Sequence, residues 1–331
     1  MSKFAQLGQL FMVGIPGKDL DDSTLRLIGE RGINNFIIFK RNVDNPEQLS
    51  QLCTDVKAAC QQVKLPPPLI AIDQEGGTVA RLPVPFTQFA NARQLAGSAD
   101  PVAALADYAN TCARELVQAG INMNLAPVLD VCPAGQGFFM EKRSLGADPQ
   151  LVGQLGSRVI KGLQGGGVAA CGKHFPGLGA AKLDPHLQLP VVARALSEIR
   201  EFDLVPFQKA IAADVAAIMT SHTIYEHLDA ATPATLSKHI LTDLLRSELG
   251  FDGLIITDDL EMGAIENERT VSSAAVQAFT AGADMILICH EHEKVCQAYG
   301  SLMEEISAGR VTLPRCAKSL ARVDAVRQRF A

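Results

Sequence analysis

Short apolar runs alternate with longer amphipathic segments from one end of the chain to the other. The runs are Leu10–Ile15, Asn35–Phe39, Leu69–Asp73, Asn122–Leu129, Val168–His174, Ala216–His222, Leu254–Asp258 and Met285–Cys289, eight in all. They are nearly continuous in hydrophobicity, as expected of parallel strands covered on both faces. Between and after them, helical periodicity predicts helices over Asp22–Gly29, Pro46–Val63, Asp100–Gln118, Asp148–Gln164, Ser197–Ala213, Lys238–Leu249, Val271–Gly282 and Glu293–Ser307, and Arg310–Phe330 reads as a final helix or pair of turns. Gly120, Gly165, Gly250 and Gly282 stand where helix-ending left-handed caps are expected. Asp148-Pro149 and Leu313-Pro314 read as helix entries. Eight strand–helix units predict an α/β fold of the closed (β/α)8 TIM-barrel type, with an open doubly wound sheet as the competing reading.

No Pro/Ser linker, low-complexity tract or shift in composition divides the 331 residues, so residues 1–331 are expected to form one catalytic domain. Lys and Arg number 30 against 36 Asp and Glu, a net charge of −6. That balance favours solubility and offers no bulk attraction to nucleic acid or to an anionic membrane. The first residues carry no apolar segment of the signal-peptide kind, and no run of apolar residues is long enough to span a bilayer. The eight cysteines are scattered without a Cys-x-x-Cys pair. They read as reduced thiols of a cytoplasmic protein, with Cys171 and Cys289 in the core.

In a barrel of this kind the chemistry collects at the C-terminal ends of the strands. Polar residues fall there repeatedly. The third run leads into Asp73-Gln74-Glu75-Gly76-Gly77 and Arg81. The fourth leads into Asp130 and then Glu141-Lys142-Arg143-Ser144. The fifth gives Lys173-His174, the sixth His222, the seventh Asp258-Asp259 and the eighth His290-Glu291-His292. Carboxylates beside cations on one rim suit acid/base or nucleophilic work on a polar substrate. They do not name the bond broken.

The block Lys173-His174-Phe175-Pro176-Gly177-Leu178-Gly179, followed after four residues by Asp184-Pro185-His186, resembles the KHFPGxGxxxxDxH signature of glycoside hydrolase family 3. More narrowly, it is similar to the bacterial cell-wall-recycling β-N-acetylglucosaminidases of that family. Asp73 through Leu82, Arg143-Ser144-Leu145-Gly146, Pro233 through Ser237 and Gly250 through Met262 match further blocks in family order. The resemblance implies a retaining exo-β-N-acetylglucosaminidase with Asp258 as nucleophile and His186 as general acid/base, paired with Asp184. It implies sugar contacts from Asp73, Arg81, Arg143, Lys173 and His174, and a structural role for Glu75. An oxocarbenium-like transition state needs an anion at one sugar face and a proton donor at the leaving oxygen. An imidazole oriented by a carboxylate can be that donor near neutral pH. The implied substrate is a muropeptide fragment with a terminal N-acetylglucosamine, taken by a monomer with water as co-substrate.

The chain departs from close relatives at Thr78, Leu178 and Pro185, which bears on rate and aglycone preference. Proline would stiffen the Asp-x-His unit. His290 and His292 could suggest a metal pair, but an i, i+2 pair alone does not make a site, and an exposed helix entry is the expected reading. His222 is read as either a substrate contact or a satisfied rim residue, and His227 and His239 as surface residues. Met219 and Met262 are read as pocket lining or core. Lys173 as a Schiff-base amine is set aside in favour of a sugar contact. No cofactor-binding motif appears. A glycosyl phosphorylase on the same site and a non-catalytic sugar binder remain as alternatives.

Overall fold

The computed structural model describes residues 6–181, 183–185 and 187–331. All eight apolar runs form strands: β1 (Phe11–Gly14), β2 (Asn35–Ile38), β3 (Leu69–Ile72), β4 (Met123–Asn124), β5 (Ala169–Phe175), β6 (Ala217–Thr220), β7 (Leu254–Asp259) and β8 (Met285–Ile288). Each pairs in parallel with its neighbour in sequence, and β1 pairs with β8, closing the barrel. The open-sheet reading is thereby excluded.

Runs that look uniformly apolar have two destinations, because side chains alternate across a strand. Met12, Ile37, Leu69, Ala71, Met123, Ala169, Cys171, Ala217, Met219, Leu254, Ile256, Met285 and Leu287 fill the barrel interior. Their neighbours Phe11, Val13, Phe36, Ile38, Ile70, Ile72, Ala170, Ile218, Ile255, Ile286 and Ile288 pack in a second core that includes buried residues of the surrounding helices. Continuing the inward parity one step past the interior layer reaches Asp73 after Ala71, Lys173 after Cys171 and Asp258 after Ile256.

The helices begin and end as their sequences dictate. Asp148 accepts from Gln150 N at 2.8 Å with Pro149 in the first turn, and Thr312 accepts from Ser-free, Pro-containing Leu313-Pro314-Arg315 through Arg315 N at 3.4 Å. Gly120, Gly250 and Gly282 adopt the positive φ expected of them. Gly165 does not: the helix Pro149–Gly165 includes it, and the positive φ falls at Gly167. The expected helix over 197–213 is broken into Leu196–Glu198, a π-helical stretch Ile199–Asp203 and Leu204–Ala212. Pro206 lacks the N–H that would close the preceding turn, and the chain loosens there. The short helix Ala92–Ala96 and a two-stranded parallel ribbon of Val191–Val192 with Ile224–Tyr225 are additions that periodicity does not predict.

Candidate active site

A cavity of about 300 Å³ opens at the C-terminal ends of the strands. Its lining includes Asp73, Arg81, Arg143, Lys173, His174 and Asp258, six residues from five different segments of the chain. Ile37, Leu125, Met219, Leu287 and Cys289 also line it, and Leu125, Met219, Leu287 and Cys289 are all buried at 2% exposure or less.

The turn after β3 is built by its glycines. Gly76 and Gly77 have φ of 98° and 59°, and a Cβ on Gly76 would lie 2.5 Å from the Ala90 carbonyl oxygen. The turn brings Arg81 back over Asp73, with Gln74 Oε1 accepting from Arg81 N at 2.8 Å. Asp73 then accepts from Lys173 Nζ at 2.8 Å and from Arg81 Nη2 at 3.0 Å. Burial alone would raise the Asp73 carboxyl, but the charges of Lys173 and Arg81 outweigh it and hold the group well below the usual carboxylate range.

Glu75 lies beside this pair and is saturated by protein partners. Its two oxygens take the Arg143 guanidinium in fork geometry at 2.9 and 2.7 Å, and Lys173 Nζ stands 2.6 Å from Oε1. Burial pushes its carboxyl up, but Arg143 and Lys173 bring it down to about 2. The same carboxylates more than offset the desolvation of Lys173, whose pKa is raised. Lys173 is therefore a protonated ammonium, which removes the Schiff-base reading.

His174 completes the wall. Its Nδ1 is 2.8 Å from Asp130 Oδ2, and its Nε2 is 3.4 Å from Arg143 Nη2. The Lys173-His174 peptide is cis, as are Ala126-Pro127 and Phe175-Pro176 nearby.

Asp258 is partly exposed in the same cavity, with Oδ1 accepting from Asp259 N at 2.8 Å. Behind it His222 is fully committed: Nδ1 is 2.8 Å from Thr235 Oγ1, and Nε2 is 2.8 Å from the Asp259 carbonyl oxygen. Burial lowers its pKa, so it is a neutral imidazole propping the tip of β7. Of the two readings of His222, the satisfied rim residue fits. Met219 and Met262 both line the cavity, and His227 and His239 are exposed.

The loop after β5 carries Asp184, which is half-buried, and His186, which lies outside the described residues. The residues on either side of position 186 are joined to the segment after Asp258. Ala264 N donates to the Pro185 carbonyl at 3.1 Å, and Asn267 Nδ2 donates to the Leu187 carbonyl at 3.1 Å.

Sequence reasoning missed Phe39 and Val79, and it set His290, placed on the rim, in an exposed helix entry with His292. The His290-Glu291-His292 run divides. His292 opens the helix His292–Ser307, bonded to Ser23 Oγ and to the Gly14 carbonyl at 2.8 and 2.9 Å. His290 instead lines the cavity, 3.4 Å from Asp259 Oδ2 and with its ring 5.6 Å from Phe39. No group of three or more His, Cys, Asp or Glu placed to hold a metal ion occurs among the described residues. The signal for Phe39 was present, since it ends the second apolar run at the rim.

Comparison with known proteins converges on one family. The sequence model described as "Glycosyl hydrolase family 3 N terminal domain" matches residues 3–326. A protein of Nitrosomonas eutropha named "Beta-hexosaminidase" is 36% identical over 307 residues, covering 91% of this chain and 86% of that one. Another of the same name from Thiobacillus denitrificans is 38% identical over 294 residues, covering 87% and 79%. The structure of a glycoside hydrolase family 3 β-N-acetylglucosaminidase from a Paenibacillus species superposes with a TM-score of 0.94 at 37% identity. It aligns with 100% of this chain, which spans 63% of that longer one. A β-N-acetylhexosaminidase from Beutenbergia cavernae gives 0.91 at 28% identity, with 99% of both chains aligned.

Proposed function

Because this chain belongs to glycosyl hydrolase family 3 and is a glycoside hydrolase, we propose that it is a retaining exo-β-N-acetylglucosaminidase acting through a covalent glycosyl-enzyme. In the proposed mechanism the Asp258 carboxylate attacks the anomeric carbon of a terminal N-acetylglucosamine. His186, oriented by Asp184, protonates the departing oxygen. The same histidine then takes a proton from water, which attacks the anomeric carbon and frees Asp258. Asp73, Arg81, Arg143, Lys173 and His174 hold the terminal ring through its hydroxyl and acetamido groups.

One observation carries the reading: Asp258 shares a single cavity of about 300 Å³ with a dense set of oriented donors and acceptors. That volume is at the small end for ligand pockets and suits one sugar ring held end-on, which supports exo action. The bonds from Ala264 and Asn267 to Pro185 and Leu187 support the pairing of the β5 loop with the β7 tip. Muropeptide fragments are the proposed natural substrate, and the barrel is proposed to work as one catalytic domain and as a monomer. The eight cysteines are all free thiols, which supports a reducing, cytoplasmic setting.

Incubation with a fluorinated glycosyl inactivator followed by peptide mass spectrometry is the direct test. Label on Asp258 is expected, with Asp258→Ala losing several orders of magnitude in kcat on an aryl β-N-acetylglucosaminide. Label elsewhere, or full activity in that variant, sinks the assignment. Formation of sugar 1-phosphate in added phosphate would move the reaction to the phosphorylase class.

A further inference from the structure

Asp130 has no part in the mechanism above, yet it joins two of its components. It stands just beyond β4 with 0% exposure. Its Oδ2 faces His174 Nδ1 at 2.8 Å, while its Oδ1 accepts from His174 N at 3.2 Å and from Leu178 N at 2.6 Å. The first contact governs a side chain of the cavity. The last governs the root of the loop that carries Asp184 and His186.

We infer that Asp130 is a positioning residue that fixes the tautomer of His174 and ties this histidine to the root of the β5 loop. A carboxylate accepts hydrogen bonds, so the imidazole places its proton on Nδ1. At the other end of the ring, Arg143 Nη2 lies 3.4 Å from Nε2, and a guanidinium only donates. Both neighbours therefore fit one tautomer, with the proton on Nδ1 and a lone pair on Nε2. In this form His174 meets a sugar as an acceptor and selects a hydroxyl that can donate.

The root of the loop is held around the same point. Gly177 N donates to the His174 carbonyl at 2.8 Å, and Tyr225 Oη donates to the Gly177 carbonyl at 2.9 Å. One buried carboxylate thus anchors both the His174 ring and the backbone at Leu178.

The inference rests on the reading of His174 as a sugar contact, and Asp130→Asn tests it. The amide can keep an oxygen toward Leu178 N, but its NH2 then faces Nδ1. That drives the proton to Nε2, against the Arg143 donor. The dissociation constant of free N-acetylglucosamine, measured by calorimetry, is expected to rise about tenfold, the loss of one hydrogen bond. KM for the aryl glycoside should follow. His174→Ala should do the same, and the double variant should bind within twofold of His174→Ala alone. Losses that multiply to about a hundredfold would overturn the coupling. So would unchanged binding in Asp130→Asn.

If Asp130→Asn does not fold, 15N spectra of histidine-labelled wild-type protein decide the matter, with the His174 signal assigned by its absence in His174→Ala. A proton on Nδ1 is expected, and a proton on Nε2 overturns the inference. Wild-type turnover of the aryl glycoside is the control. Its absence would defeat the proposed function while leaving the tautomer result to judge Asp130.

Discussion

At the scale of single residues, the site is a chain of alternating charges: Arg81, Asp73, Lys173, Glu75 and Arg143, each bonded to the next. Glu75 is the anion between Lys173 and Arg143, with a side chain only 5% exposed beside an Arg143 that is 14% exposed and a Lys173 that is 2% exposed. Glu75→Gln keeps the shape and removes the charge, leaving Lys173 and Arg143 each short of a partner and Asp73 as the one anion for the three cations of the chain. Breaking a buried pair from one side costs about 3–5 kcal/mol. Urea unfolding at neutral pH should show a loss of that size, and a loss below about 1 kcal/mol would mean that the cations relax into water instead. The pH sign follows from the depressed carboxyl. With a folded pKa of about 2 against an ordinary 4.5, the stabilisation from Glu75 is full above pH 4.5 and fades as pH falls toward 2.

At the scale of elements, one buried acid packs between the start of the loop after β5 and Arg194 beyond that loop. A Cβ on Gly177 would lie 2.7 Å from the Asp203 Cβ, so the loop start runs against that residue. Beyond the loop, Arg194 Nη1 reaches Asp203 Oδ1 at 2.7 Å, while Oδ2 is buried without a hydrogen-bond partner among the described residues. Burial pushes the Asp203 carboxyl up to about 7, with Arg194 only partly offsetting it and Asp130 and Glu198 adding to the rise. Here the linkage runs opposite to that of Glu75. The unfolded chain ionises first, so stability falls as pH climbs from about 4 to about 7, by at most about 4 kcal/mol. The melting-temperature gap between wild type and Asp203→Asn should widen in favour of wild type as pH drops from 8 to 5.5, and a constant gap would remove Asp203 as the source. Such pairings explain what the sequence could and could not tell. Strand positions were legible because burial on both faces makes apolar runs, and Asp73, Lys173 and Asp258 were picked out by their place at the strand ends and by the family blocks around them. Asp130 and His290 could be placed at the rim but not given their partners, and Asp203 could not be placed at all, because these meanings lie in partners that are distant in the chain or set by local turns that periodicity does not describe. The π-helical His239–Glu248 segment reads as an ordinary amphipathic helix for the same reason.

At the scale of the molecule, a barrel with chemistry at one mouth must close the other, or its apolar interior meets water. The last helix, Leu313–Phe330, does this. Val323 and Val326 are buried in the same cluster as the inward side chains of the strands, and Phe330 packs against it. Arg327, 4% exposed, bonds Gln9 Oε1, Asn34 Oδ1 and Asn35 Oδ1 at 3.1, 3.4 and 3.3 Å, tying the helix to the starts of the first two strands. On the same side Arg315 and Arg322 reach the buried Asp284 at the entrance to β8, at 3.5 and 3.3 Å. The helix is thus a stability element separated from the cavity at the other mouth by the layer of interior side chains. Val323→Ala and Val326→Ala should each cost about 2 kcal/mol through lost burial and residual cavity. Together they should lower the melting temperature by several degrees while kcat and KM at 25 °C stay within about twofold. Thermal unfolding and steady-state kinetics on the same samples would decide it. A large fall in kcat without a fall in melting temperature would mean that the two mouths of the barrel are mechanically coupled, and that the plug belongs to the catalytic machinery.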